Sequence, residues 1–347
     1  MSDCGTAFLL ALFVSIIITP IVIKFAAATG AMDKPDARKV HKKPIPRIGG
    51  LGIYAAFMIS VIMTAIFVDL KGESLKEVIG LIVSGSFIVF VGIVDDYKNL
   101  PAKRKLLGQI IAAAILVLLF DVRIDFITDP FGDYIYLEWF AVPVTIFWLV
   151  GLTNTVNLID GLDGLAAGVS AIAAVTIMLV ALEQNFFLVA LLTAALAGSA
   201  VGFLFYNSHP ARIFMGDTGS MFLGFMLAGI SVIGAVKSTA TIALVVPILA
   251  LGVPILDTTF AIIRRFLGGR PIFQPDKGHL HHRLLSIGFT QRQAVFLMYV
   301  ISAVLGLSAV AMTEVSRQVA AVILLIVIGA ILYGAKKLGV LRLADNR

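Results

Sequence analysis

Along this chain, apolar runs of roughly 18 to 23 residues recur between short polar stretches, each long enough to cross a hydrocarbon layer of ~30 Å at 1.5 Å per residue. Their length and their lack of polar alternation predict a helical bundle rather than a barrel. We place eleven spans at about 6–28, 48–69, 78–95, 106–121, 139–157, 164–182, 186–206, 218–236, 238–260, 293–312 and 318–335. The expected fold is an all-α, polytopic transmembrane helical bundle, with residues 1–347 forming one integral membrane domain. The first run, Phe8 to Ala28, offers small residues at Ala26-Ala27-Ala28 for cleavage. Asp3 precedes it and basic residues follow it, the reverse of a signal peptide, so it is expected to remain as a span.

Composition agrees. The chain is 59% hydrophobic and only 14% charged, with a mean hydropathy of +1.01, against roughly 25% charged residues in soluble domains. Its single cysteine, Cys4, excludes an intramolecular disulfide and a cysteine-built metal cluster. The net charge of +6 matters less than where it lies, and nothing in the pattern points to nucleic acid. With the N-terminus outside, the inner segments hold 22 of the 27 Lys and Arg residues, and only Lys71, Lys76, Arg123, Lys237 and Arg317 fall outside. The positive-inside rule then sets the orientation and leaves the C-terminus cytoplasmic. The outer loop 121–138, with Asp121, Asp125, Asp129, Asp133 and Glu138, reads as a solvated cap, and Tyr136 and Trp139 read as interfacial anchors.

Under this topology every unusual polar cluster lies on the cytoplasmic side, and one site assembled from several loops explains them together. Asp95 and Asp96 end the third span. Adjacent side chains point about 100° apart on a helix, so both serve one site only where the helix ends. Either one helps hold a divalent cation or a phosphate-bearing substrate while the other orients a lysine or acts as a base, or they are solvated charges at a helix end. In Asn154-xx-Asn157-xx-Asp160-Gly-Leu-Asp163-Gly, neighbours three apart share a face, and Gly161 and Gly164 permit a break that would bring Asp163 back. Their oxygens suit magnesium, while a polar cap with an Asx turn is the structural alternative. Phe214-Met215-Gly216-Asp217-Thr218-Gly219-Ser220 sets a carboxylate at a helix start, as a metal ligand or as a cap.

The loop 261–292 adds Arg264, Arg265, Arg270, Lys277, Arg283 and Arg292 to His279, His281 and His282. Guanidinium forks and imidazoles suit phosphate oxygens. The histidines also raise zinc, but their spacing does not show that they converge. The stretch Lys34 to Arg47, with His41 and three prolines, is not expected to be helical. It serves either anionic lipid heads or a lipid phosphate.

Taken in order, these motifs resemble the polyprenyl-phosphate N-acetylhexosamine-1-phosphate transferases, of glycosyltransferase 4 type, and the match runs over essentially the whole chain. His279-Leu-His-His-Arg283-Leu-Leu, followed by Gly288-Phe-Thr-Gln-Arg-Gln, resembles the WecA/TagO branch, which opens teichoic acid, O-antigen and related envelope glycans. The branch that transfers phospho-N-acetylmuramoyl-pentapeptide shows an uninterrupted run of three histidines, where this chain has Leu280. The resemblance implies UDP-N-acetylglucosamine (UDP-GlcNAc) as donor, undecaprenyl phosphate as acceptor, UMP as second product, magnesium (with manganese as substitute) as cofactor, and a bacterial plasma membrane. It further implies that Asp217 binds the metal, with Asn157 as second ligand or phosphate contact. Asp95 would be the base or acceptor positioner, with Asp96 supporting it, and Asp160 and Asp163 would organise the site, with Asn154 among the substrate contacts. His279, His281, His282, Arg283, Arg265 and Arg264 would meet the diphosphate or the sugar. A homodimer through apolar faces is a further expectation. An ion-coupled transporter is the alternative of another class. It would need acids near the midplane and two repeated halves, and only Asp257 approaches such a position.

Overall fold

The computed structural model describes residues 2–33, 44–128, 134–237, 245–269 and 278–337. The expected features at 34–43, including His41, and at Asp129, Asp133, Arg270 and Lys277 lie outside the described residues. The chain is a polytopic helical membrane protein. Helices run as α1 (Ser2–Thr29), α2 (Gly50–Val68), α3 (Gly72–Lys98), α4 (Ala102–Ala114), α5 (Ala141–Ile159), α6 (Leu165–Glu183), α7 (Phe187–Asn207), α8 (Gly216–Lys237), α9 (Val245–Ala250), α10 (Gly252–Leu267), α11 (Leu280–Ser286), α12 (Gln291–Thr313) and α13 (Arg317–Lys337). Two short antiparallel pairs complete it: β1 (Met32–Asp33) with β2 (Ile45–Pro46), and β3 (Phe126–Thr128) with β4 (Tyr134–Tyr136).

Burial ranks the helices. The apolar window of α8 is 94% buried and that of α13 only 17%, so α8 is the axis and α13 the periphery. α3 and α5 flank α8, and α2, α6 and α7 complete its surround. On α1, Phe13, Ile17 and Ile21 stand exposed at a spacing of four, as a lipid-facing stripe requires. Since lipid is as apolar as leucine, helices here associate by close packing. A Cβ on Gly198 of α7 would lie 2.1 Å from the Phe8 carbonyl oxygen of α1, and one on Gly202 would lie 2.5 Å from that of Leu12.

Among the described residues, nine helices are long and apolar enough to cross a membrane, against the eleven spans expected. Two of the expected spans are not single long α-helices. The one at 106–121 is α4 followed by a π-helical turn over Ile115–Leu119. The one at 238–260 lies partly outside the described residues and breaks at Leu251, between α9 and α10. Pro247 and Pro254 on either side of that break withhold helical N–H groups.

Candidate active site

The N-terminus of α8 is capped from another helix. Asp96, near the end of α3 and 7% exposed, accepts the Asp217 amide at 2.9 Å, the Thr218 amide at 3.0 Å and the Thr218 hydroxyl at 2.6 Å. Arg47 Nε reaches its Oδ1 at 3.1 Å. With four donors upon it, this carboxylate is committed to holding α8, Arg47 and α3 together, which suits a supporting partner and leaves it poorly placed as a proton acceptor. Gly216, at φ +69°, is required there, because a Cβ would sit 2.1 Å from the Arg47 carbonyl oxygen and 2.5 Å from Asp96 Oδ2.

Asp217 is the hub. Asn157 Nδ2 donates to its Oδ1 at 2.6 Å, Lys105 Nζ pairs with the same oxygen, and Arg47 Nη2 pairs with Oδ2 at 3.2 Å. Lys105 is shared with Asp95 Oδ2 at 2.9 Å, while Asp95 Oδ1 accepts the Leu100 amide at 2.6 Å where α3 ends. Asn157 Nδ2 also donates to Ser220 Oγ at 2.8 Å. Three carboxylates from α3 and α8 thus share two cations. Arg47 is held in place by its own backbone: the Phe214 amide donates to the Pro46 carbonyl, and the Gly49 and Gly50 amides donate to those of Phe214 and Met215, at 2.8 to 2.9 Å. Its Nη1 donates to Asn99 Oδ1 at 3.1 Å.

Asp160 follows directly where α5 stops. Burial, reinforced by the negative charges of Asp217 and Asp96, pushes its carboxyl up to about 7, so it changes charge near neutral pH. The glycine break occurs, with Gly164 at φ +79°, but it turns Asp163 toward the 207–217 loop instead of back to the hub. Asp163 Oδ2 meets His209 Nδ1 at 2.8 Å and accepts the Ala211 amide at 3.2 Å. Tyr299 donates to the Gly164 carbonyl at 2.6 Å, and Asn207 accepts the Gly164 amide at 3.1 Å. Asp163 therefore fastens a loop. Asn154, one turn behind Asn157, forms a reciprocal amide pair with the buried Gln109 at 2.5 and 3.3 Å, which ties α4 to α5 away from the hub.

The histidines form a second layer. His281 is 2% exposed, and its Nε2 lies so close to Gly161 that a Cβ there would be 2.5 Å away. Burial, helped by the neighbouring His282, pushes it down to about 4, so it is neutral in the physiological range. The His279 and His281 rings are 5.8 Å apart and nearly parallel, and His282 lies 4.2 Å from His281. Arg264 is 7% exposed and packs against Gly278, while Arg283 Nε donates to the Gly278 carbonyl at 3.3 Å. Arg265 is half-buried on the last turn of α10.

The structure thus gathers Asp95, Asp96, Asn157, Asp160 and Asp217 around Arg47 and Lys105, and sets His281 beside the loop after Asp160. Lys105 stood in the sequence only as inner positive charge and Arg47 only as the end of a basic stretch for lipid heads or a lipid phosphate; Asn207, His209 and Ser220 lay inside polar stretches without roles of their own, and Gln109 carried no signal. Among the described residues, no three His, Cys, Asp or Glu side chains are grouped to hold a metal. Magnesium does not need such a group, since it takes one or two carboxylates, several waters and substrate phosphates. The carboxylate of Asp217 is a hard oxygen donor of the kind magnesium takes, and the Asn157 side-chain amide, whose Nδ2 meets it, carries a second such oxygen.

Residues 78–235, which contain Lys105, Asn157 and the four carboxylates of this site but not Arg47, match glycosyl transferase family 4. The chain is 44% identical to a probable undecaprenyl-phosphate N-acetylglucosaminyl 1-phosphate transferase of Bacillus subtilis (strain 168), over 93% of this chain and 88% of that one. It is 34% identical to a decaprenyl-phosphate N-acetylglucosaminephosphotransferase of Mycobacterium leprae (strain TN), over 78% and 73% of the two chains. A phospho-N-acetylmuramoyl-pentapeptide-transferase of Halalkalibacterium halodurans is 32% identical over 80% and 87%.

Proposed function

The chain belongs to glycosyl transferase family 4, and on that premise we propose that it transfers N-acetylglucosamine-1-phosphate from UDP-GlcNAc to undecaprenyl phosphate, opening the synthesis of an envelope glycan such as teichoic acid or O-antigen. The observation that carries this reading is the 44% identity, spread over 93% of the chain, to a relative of that name. The muramoyl-pentapeptide transferases, at 32%, share the chemistry and mark the second donor to be tried. The family and the gathering of the acids at helix ends remove the transporter reading.

In this reaction an oxygen of the prenyl phosphate attacks the β-phosphorus, the bond between that phosphorus and the bridging oxygen breaks, and UMP leaves. Both reactants are anions, so the residues must first overcome their repulsion. Lys105 and Arg47 supply two fixed cations beside the carboxylates, where the diphosphate would dock. Asp217 and the Asn157 amide oxygen would hold magnesium, or manganese, whose chemical contribution is to neutralise charge on the diphosphate. Asp95 aligns the acceptor phosphate, Asp96 fixes the start of α8, and Asp160 adjusts the charge of the site near neutrality. His279, His281, His282, Arg264, Arg265 and Arg283 line the sugar-nucleotide side. The acceptor phosphate is already a strong nucleophile, its second pKa being ~6 by analogy with phosphorylated side chains. Alignment therefore contributes more than a base, and transfer is direct, without a covalent enzyme intermediate.

The reading includes about eleven crossings of a bacterial plasma membrane, the N-terminus outside, and the C-terminus and the site cytoplasmic, with 1–347 acting as one domain, assembled as a homodimer. The distribution of Lys and Arg supports the orientation. The test is UMP release by purified protein in detergent, given UDP-GlcNAc, with and without undecaprenyl phosphate and magnesium. Release that needs both, and that Asp217→Asn abolishes, is expected; release without lipid or metal would overturn the reading.

A further inference from the structure

A single carboxylate that none of the sequence motifs contains pins the histidine segment. Asp257 lies on α10 at 3% exposure, its Oδ2 2.8 Å from His279 Nδ1 and its Oδ1 accepting the Leu280 amide at 2.6 Å. Burying a carboxylate is costly unless partners satisfy it, and here one side chain and one amide do so. His279 is itself only 6% exposed, so ring and acid face each other away from bulk water. The same face of α10 carries Ala261, 1% exposed, and Arg264, 7% exposed, four and seven residues on. Arg264 packs so closely on Gly278 that a Cβ there would come 2.6 Å from its guanidinium. One helix face thus holds Gly278, His279 and Leu280 in succession.

We propose that Asp257 is a positioning residue that fixes the tautomer of His279. An ionised carboxylate only accepts, so it keeps the imidazole proton on Nδ1 and makes Nε2 the nitrogen presented to the sugar nucleotide. Without that acid both tautomers are open to the ring, and only one offers a lone pair at Nε2. The role of the presented nitrogen in turnover rests on the transferase reading; the tautomer itself does not.

Nitrogen NMR of the intact protein labelled with 15N-histidine, with His279→Ala to assign the signal, reads the tautomer directly. A protonated Nδ1 and bare Nε2 at His279 are expected, and the opposite tautomer overturns the proposal whether or not the protein turns over. The functional arm uses Asp257→Asn, whose amide oxygen still accepts the Leu280 amide while its NH2 faces Nδ1 and drives the ring proton to Nε2. Its kcat should fall by roughly 10- to 100-fold, the scale seen for the outer partners of metal-ligating histidines, with the melting temperature kept. His279→Ala should fall at least as far, and the double variant no further than His279→Ala, because the two residues act as a unit. A double variant that loses the Asp257→Asn factor again would reduce Asp257 to a cap for α11, and Asp257→Asn at wild-type rate would also sink the proposal. Inactive wild-type protein counts against the transferase reading and leaves the NMR result standing.

Discussion

At the scale of single residues, Asp160 gives a signed prediction. A free aspartate titrates near ~3.9, whereas this one is pushed up to about 7 by burial and by Asp217 and Asp96. Folding therefore favours its protonated form: that contribution is full below the unfolded value and is lost as pH rises through about 7. Asp160→Asn removes the charge, so its melting temperature should exceed wild type at pH 8 by a few °C, with the gap closing toward pH 5. A gap independent of pH would show that the carboxyl is not so perturbed. Lys105 makes a second case. Lys105→Met leaves Asp95 and Asp217 without their shared cation, and UMP release should fall by about 100-fold, a typical cost of losing one electrostatic stabiliser. A change of less than about 3-fold would assign Lys105 to scaffolding alone. The acids were legible in the sequence because carboxylates at the ends of apolar runs are conspicuous. Lys105 and Arg47 were not: they sit 112 and 170 positions from Asp217, and inner loops are rich in such residues in any case.

Elements show where spacing succeeds and where it fails. A step of three residues put Asn154 and Asn157 on a shared face, yet Asn157 meets Asp217 whereas Asn154 is taken by Gln109 of α4. Helical periodicity gives the face of one helix and says nothing of what the neighbouring helix offers. The glycine break after Asp160 was readable, yet its direction depends on His209 and the Ala211 amide, which lie 46 and 48 residues from Asp163. Close helix crossings were likewise hidden. A Cβ on Gly50 would lie 2.1 Å from the Gly219 amide nitrogen, so Gly50→Ala should force α2 from the start of α8, lower the melting temperature and cost about 1–3 kcal/mol. Gly329→Ala on α13, where a Cβ meets nothing within 4 Å, should leave the melting temperature unchanged or slightly raised. Equal tolerance at both positions would contradict the packing described at the head of α8.

At the scale of the whole molecule, the helical membrane architecture followed from run length and charge alone, because lipid imposes a minimum length on every span. The span at 238–260 escaped that logic: hydropathy counts apolar residues and does not register the break that Pro247, Leu251 and Pro254 impose between α9 and α10. That break leaves α10 as a separate helix, from which Asp257 reaches the histidine segment. The hub at the head of α8, the loop after α5 and the histidine layer above it draw on helices from α3 to α11, so the site is a property of the bundle rather than of one motif. The most direct test of the account is the mass of the lipid product formed when the purified protein is given undecaprenyl phosphate with UDP-GlcNAc and the UDP-muramoyl-pentapeptide together. Undecaprenyl-diphospho-N-acetylglucosamine, formed with equimolar UMP, is the predicted result. A lipid carrying the muramoyl-pentapeptide, or no lipid product from either donor, would contradict it.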